Sequence, residues 1–240
     1  MTEEPYRWLE AIGNRREYVR EQLKGGSPAF AVKTTDGILT LAVGSGQSKV
    51  FELFDRHALA ALGHPADIEK IRQAAIDAAH MEAFTRAPED VSLRRLISFG
   101  LSPQLKTNFE QIFSAPFLIE MLLVELGDKP ETDVVVRLHF DGGFQIATTA
   151  VTVAAADYER EKAAQDWLNE TLTGAQDKKQ IIEQLLQAWW RLMENKDFSE
   201  ALPGDWKGAL KDKVVEIGWL DRTVSRQARF VPLTMAEVGL

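Results

Sequence analysis

The chain has 240 residues, 45% of them hydrophobic and 27% charged, with 28 Lys+Arg against 36 Asp+Glu for a formal net charge of −8. That length closes one substantial core without a staple. The absence of cysteine excludes disulfides, zinc–thiolate sites, iron–sulfur clusters and cysteine nucleophiles. The acidic balance argues against a nucleic-acid partner. The acidic, polar start Met1-Thr2-Glu3-Glu4-Pro5 is unlike a signal peptide. The most apolar run, residues 117–126, is short and carries Glu120 and Glu125, so no membrane span is expected. The reading is a cytoplasmic protein.

Taken in chain order, residues 6–24 predict a helix, with Tyr6, Leu9, Ile12, Val19 and Leu23 near helical spacing and Gly25-Gly26 to end it. Residues 29–33 and 38–43 predict a hairpin around Asp36-Gly37. Val50, Leu53 and Phe54, then residues 58–62, read as two short buried strands. Gly63-His64-Pro65 breaks the chain, with Pro65 placed at the first turn of a helix whose apolar stripe is Ile68, Ile71, Ala75, Ala78 and Met81. Residues 93–114 predict a helical region interrupted near Gly100-Leu101-Ser102-Pro103. Strands are expected over 117–126, 134–140 and 144–153, the last two joined by a turn at Asp141-Gly142-Gly143. Helices follow over 157–172, with Asp157 as N-cap, and over 178–194. Residues 213–220 and 226–233 predict a closing hairpin. No linker or repeat interrupts this order, so 1–240 reads as one domain of α+β class, with two sheets packed on each other between helix layers.

Three segments carry a resemblance to a known family. Residues 16–27, Arg-Glu-Tyr-Val-Arg-Glu-Gln-Leu-Lys-Gly-Gly-Ser, resemble a long amphipathic helix that ends in a Lys-Gly-Ser-type junction. Ala31-Val32-Lys33 through Asp36-Gly37 to Ala42 resembles the hairpin that follows it. Lys49-Val50-Phe51-Glu52-Leu53-Phe54-Asp55-Arg56, running on through Ala58 to Gly63, is the most specific of the three. Together they resemble the α-type subunits of the proteasome core particle, in an actinobacterial-like, diverged form. The resemblance implies the four-layer αββα sandwich of N-terminal-nucleophile hydrolases, with residues 1–26 as gate segment and helix and 27–240 as the sandwich. It further implies a homo-oligomeric ring, heptameric in the family, that stacks on β-type subunits and admits substrate under a ring-shaped ATPase or other activator. No cofactor is implied.

The same resemblance frames an alternative, a self-processing β-type peptidase with Ser27 as its nucleophile. Catalysis in that fold needs an N-terminal hydroxyl or thiol whose α-amine is the base, a lysine and an orienting acid. Ser27 stands where a released nucleophile would begin, and Lys49 stands where the lysine falls. The acid's position is Val43, whose side chain cannot accept a hydrogen bond, and Ser27 is followed by Pro28. No catalytic residue is therefore assigned. Lys49 is instead matched to the family's pocket lysine, which pairs with the C-terminal carboxylate of an activator tail. Gly26 matches a pocket position without a side chain, and His64 stands at an apolar pocket position. The N-terminal Tyr-Asp-Arg gate motif is reduced to Tyr6-Arg7, and the glycine-rich turn expected before the 157–172 helix is Ala154-Ala155-Ala156.

Other motifs are set aside. Gly44-Ser45-Gly46-Gln47-Ser48-Lys49 mimics a phosphate loop but leads into β-like sequence rather than a helix. His57, His64, His80 and His139 show no metal-ligand spacing, so no metal site is expected. Of the paired Trp189 and Trp190, one is expected to pack inward and the other to meet a neighbour or solvent.

Overall fold

The computed structural model describes residues 4–173 and 177–240, with side chains from Arg7 onward. The expected gate residues 1–3 and the side chain of Tyr6 lie outside these. Helix α1 (Glu4–Leu23) is followed by β1 (Ala29–Lys33), β2 (Gly37–Gly44), β3 (Val50–Phe54), β4 (His57–Gly63) and α2 (Pro65–Thr85). Next come α3 (Leu93–Arg95), a π-helical turn (Leu96–Leu101), α4 (Ser102–Glu110), β5 (Ile119–Glu125), β6 (Val134–His139), β7 (Phe144–Ile146) and β8 (Val151–Ala154). Helices α5 (Tyr158–Thr171) and α6 (Lys178–Met193) and strands β9 (Val214–Asp221) and β10 (Phe230–Leu233) complete the chain.

The strands form two five-stranded antiparallel sheets, ordered β10-β9-β2-β1-β8 and β3-β4-β5-β6-β7. The first owes its two covered faces to the period-two alternation of β1 and β2. Ala29, Ala31 and Ala42 belong to the core shared with the second sheet, and their small side chains let the two sheets approach. Phe30, Val32, Leu39, Leu41 and Val43 point the other way, onto Ala164 and Leu168 of α5 and Ile182, Leu185 and Trp189 of α6. The second sheet is covered on its outer side by Ile68, Ile71 and Ala75 of α2 and by Leu101, Leu105 and Phe109. The result is the expected four-layer αββα order, with α1 laid across one end.

Four local expectations change. The predicted strand over 144–153 is two strands in different sheets. The amide of Ala147 still bonds Val135 O of the second sheet at 2.8 Å, whereas Ala150 O already accepts from Lys33 N of the first at 2.9 Å. Both halves are rich in β-formers, so local preference does not reveal that 147–150 crosses between sheets. The helical region from 93 is not broken at Gly100. It widens into a π turn just before Pro103, whose ring has no N–H to give and would clash with the carbonyl four residues back in a regular helix. On α2, Ala79 is buried and Met81 is 65% exposed, because the stripe continues from Ala75 by four residues. The final hairpin is shorter than predicted. Residues 222–229 form its loop, pinned by Arg229 N to Asp55 O at 2.7 Å, and only Phe230–Leu233 pairs with β9.

Candidate functional site

The end of the sandwich that carries α1 holds Gly26, Ser27, Val43, Lys49 and His64. The second half of α1 docks there through Val19 and Leu23, both buried, and through three arginines. Arg15 donates to Ser114 O at 2.7 Å and Asn108 O at 3.1 Å, Arg16 to Asp141 Oδ2 at 2.9 Å, and the Arg20 guanidinium lies 5.3 Å from the Tyr158 ring centre. The helix closes at Gly25, whose φ of +77° is the left-handed conformation that glycine supplies. Gly26 then turns the chain so tightly that a Cβ there would sit 2.8 Å from Leu23 O and 3.1 Å from Leu62 Cδ1. Packing alone therefore demands glycine at 26.

Ser27 follows directly, and its Oγ accepts a 2.8 Å hydrogen bond from the Trp189 indole. Trp189 is thus the inward tryptophan of the pair, buried on α6, while Trp190 is half-buried against the same core. Val43 is 1% exposed and packs with the α6 side chains, so the acid's position holds only hydrocarbon. Of the three groups that an N-terminal nucleophile needs, the hydroxyl is engaged by a partner from another layer and the acid is missing.

Lys49 sits half-buried just before β3. Its ammonium donates to Val43 O at 3.4 Å, and no carboxylate among the described residues lies within ion-pair distance of it. The residue is held from its backbone. Both oxygens of Glu216 on β9 accept from Lys49 N, at 2.9 and 3.1 Å, and one also accepts from Val50 N at 3.2 Å. Burial pulls the Lys49 ammonium below the ordinary lysine range; nearby Glu216 opposes this and Lys213 adds to it. Gly44 leaves the space, since a Cβ there would stand 3.3 Å from Gln47 O and 3.7 Å from Lys49 Cε.

Lys49, Ser45, Gly63, Pro65 and Ile68 line a cavity of about 250 Å³. His64 stands at its edge, exposed, with Nδ1 accepting from Ala66 N at 3.3 Å to cap α2. Gly26 lines a separate cleft of about 470 Å³ between the end of α1, residues 155–160 and the end of α6. The three expected pocket residues nonetheless flank one stretch of chain. Ala61 N donates to Lys49 O at 2.9 Å, Gly26 abuts Leu62, and His64 follows Gly63. Sequence reading missed Glu216 and Lys213, which reach this end only through the β2–β9 pairing of Gly44 with Val214. No local pattern marks them.

The alanine junction before α5 is supported by a buried charge cluster. Arg137 pairs with Glu120 at 2.9 Å and with Glu161 at 2.6 Å, and Glu161 Oε2 accepts from Ala155 N at 2.7 Å. Arg137 also donates to Ala155 O at 3.2 Å. Side chains thus satisfy the backbone of the turn, and Asp157 caps α5 by accepting from Glu159 N and Arg160 N. Among the described residues no group of three side chains could hold a metal ion, and no helix is long and apolar enough to cross a membrane.

Known proteins similar to the chain share one name. The chain is 28% identical over 233 residues to the proteasome subunit alpha of Acidothermus cellulolyticus, covering 95% of the chain and 94% of that relative. It is 30% identical over 164 residues to that of a Nocardioides species, covering 65% and 64% respectively. To the proteasome subunit alpha of Actinosynnema mirum it is 31% identical over 135 residues, 55% of the chain and about half (51%) of that relative's length. No protein-family model matches the chain. The chain is thus similar to actinobacterial proteasome α subunits, in one case over nearly its whole length. Its two antiparallel sheets between helix layers match the α+β, N-terminal-nucleophile-hydrolase type of fold of proteasome subunits.

Proposed function

We propose that this chain is a non-catalytic α-type subunit of a prokaryotic proteasome core particle, forming the outer ring that gates entry of substrate and docks an ATPase activator in intracellular protein degradation. The observation that carries this reading is the continuity of α1 with Ser27. The helix is packed onto the core through Val19, Leu23 and Arg15, the serine hydroxyl is taken by Trp189, and a buried valine stands where an orienting acid is needed. Exposing an α-amine at Ser27 would strip a packed helix and still leave the amine without its acid partner.

In this reading the ring is heptameric, proteolysis belongs to partner β-type subunits, and the complex works in the cytoplasm. Lys49 receives the carboxylate of an activator tail in a charge-assisted contact, with His64 at the edge of its cavity and Gly26 in the separate cleft behind Leu62. The cavity that Lys49 lines, and the lack of any carboxylate paired to its ammonium, support that role. Intact and native mass spectrometry of the purified protein, alone and with its β-type partner, is the test. A full-length chain in a large ring or barrel is expected; a full-length monomer under both conditions, or a chain beginning at Ser27, overturns the proposal. Lys49→Ala is expected to lose activator-stimulated degradation in particles that native mass spectrometry finds assembled, and normal stimulation there would remove Lys49 from the site.

A further inference from the structure

A second cation stands beside the Lys49 cavity that the sequence did not suggest. Strands β2 and β9 pair up to Gly44 opposite Val214, so the residues just past that pair, Ser45 and Lys213, meet at the end of the sheet. There the Lys213 ammonium donates to Ser45 Oγ at 3.2 Å, and Ser45 lines the cavity with Lys49. Lys213 is exposed, and among the described residues no carboxylate lies within ion-pair distance of it. The acid nearest the pair, Glu216, has both oxygens committed to the amides of Lys49 and Val50. Lys49 thus lines the cavity and Lys213 stands beside it through Ser45, while the nearby Glu216 carboxylate is already engaged.

Their anchors lie close together on one stretch of chain. Lys49 is tethered to Val43 O and Lys213 to Ser45, two residues apart along the same chain, or about 7 Å in extended backbone. A terminal carboxylate and the side-chain carboxylate of the residue before it span a comparable distance. Pro65 and Ile68 supply an apolar wall for the last side chain.

We propose that Lys49 and Lys213 form a two-cation site selective for a peptide C-terminus with an acidic penultimate residue. Lys49 takes the terminal carboxylate and Lys213 the penultimate side chain. The proposal rests on the activator-docking reading of Lys49 and extends it from a point contact to a sequence preference. Lys213 is in this sense a specificity-determining residue.

The test is fluorescence anisotropy with the assembled protein and three labelled octapeptides of common sequence, ending in -Ala-Leu with a free carboxylate, -Ala-Leu amide and -Asp-Leu with a free carboxylate. The amide is expected to lose binding. The -Asp-Leu peptide is expected to bind about 2- to 5-fold tighter than -Ala-Leu, as a rim-exposed ion pair allows. That ratio should shrink as salt is raised and fall to one in Lys213→Gln, measured within that variant. Equal binding of the two acids by the native protein, or a ratio that survives Lys213→Gln, overturns the two-cation site while leaving Lys49 docking in place. Failure of every free-carboxylate peptide to bind the assembled particle, with no response to Lys49→Gln, overturns both readings together.

Discussion

Replacing Trp189 by phenylalanine tests at once how Ser27 is held and whether its hydroxyl is a latent nucleophile. The indole donates a 2.8 Å hydrogen bond to a half-buried hydroxyl, a contact that contributes about 1 kcal/mol net. The residue is only 3% exposed, so losing the second ring also leaves a cavity, for about 1–2 kcal/mol more. Trp189→Phe should therefore destabilise the protein by about 2–3 kcal/mol in urea unfolding at fixed protein concentration. Adding Ser27→Ala and the double variant closes a mutant cycle whose coupling energy isolates the hydrogen bond, expected near 1 kcal/mol. The same preparations report on chemistry. With the indole gone the serine hydroxyl is free, yet no chain beginning at Ser27 should appear by intact mass, because Val43 still offers no acid. A coupling energy within about 0.3 kcal/mol of zero would refute the packing argument. A processed chain in Trp189→Phe would refute the chemical one.

Three further outcomes follow from the same end of the molecule and its supports. Arg15→Ala removes both carbonyl contacts that tie α1 to Asn108 and Ser114, and should cost about 2–3 kcal/mol. Hydrogen exchange should quicken in α1 first, and unchanged protection there would show that the arginine is not what docks the helix. Gly63→Ala forces a Cβ to within 2.0 Å of Leu118 O at a φ of +133°, so it should cost more than about 3 kcal/mol or abolish soluble expression, and a wild-type melting temperature would contradict the close approach. Glu125 titrates below the ordinary glutamate range. Burial works to raise it, but contacts with His57, the Leu93 amide and Arg56 together outweigh the burial. Because its folded-state value is depressed, the stability it contributes is complete above its unfolded value of about 4.5 and is lost as pH falls through the folded value. Glu125→Gln should thus be less stable than the parent by about 1–2 kcal/mol at neutral pH, with the gap closing below pH 4.5 in chemical unfolding, and a pH-independent gap would reject the assignment.

Most of the architecture was legible because each local signal had one physical meaning. Asp36-Gly37 could only turn a hairpin, Pro65 could only open a helix, and Asp157 capped the helix that it precedes. Where a signal had two meanings, the reading slipped. The β-rich stretch 144–153 fits one long strand as well as two short ones, and only the position of the second sheet decides where the chain crosses. Met81 belongs to an apolar stripe if α2 is counted by threes from Ala75 and Ala78, but the packed face advances by four to Ala79.

The candidate site divides along the same line. Lys49, Gly26 and His64 were found through a family pattern in contiguous sequence, whereas Glu216 and Lys213 lie more than 160 residues away and reach Lys49 only through a sheet register. The residue that holds Ser27, Trp189, is equally distant, on a helix of another layer. Local sequence therefore specified which residue types stand at this end of the sandwich, and long-range pairing specified what holds them. That difference bears on function. A lysine placed by Glu216 through its backbone keeps its ammonium out of any ion pair, with only a long bond to Val43 O, and available to a carboxylate from outside the chain, whereas a lysine held by an ion pair to its own chain would have to give up that partner first. The geometry at Lys49 is of the first kind. This is why the charge of Glu216, and not merely its volume, should matter. Glu216→Gln keeps an acceptor for the Lys49 amide but loses the negative charge that opposes the burial-lowered pKa of the ammonium. Tail-peptide affinity in that variant should fall more steeply as pH rises above neutrality than in the parent, and identical pH profiles would show that Glu216 acts on Lys49 by position alone.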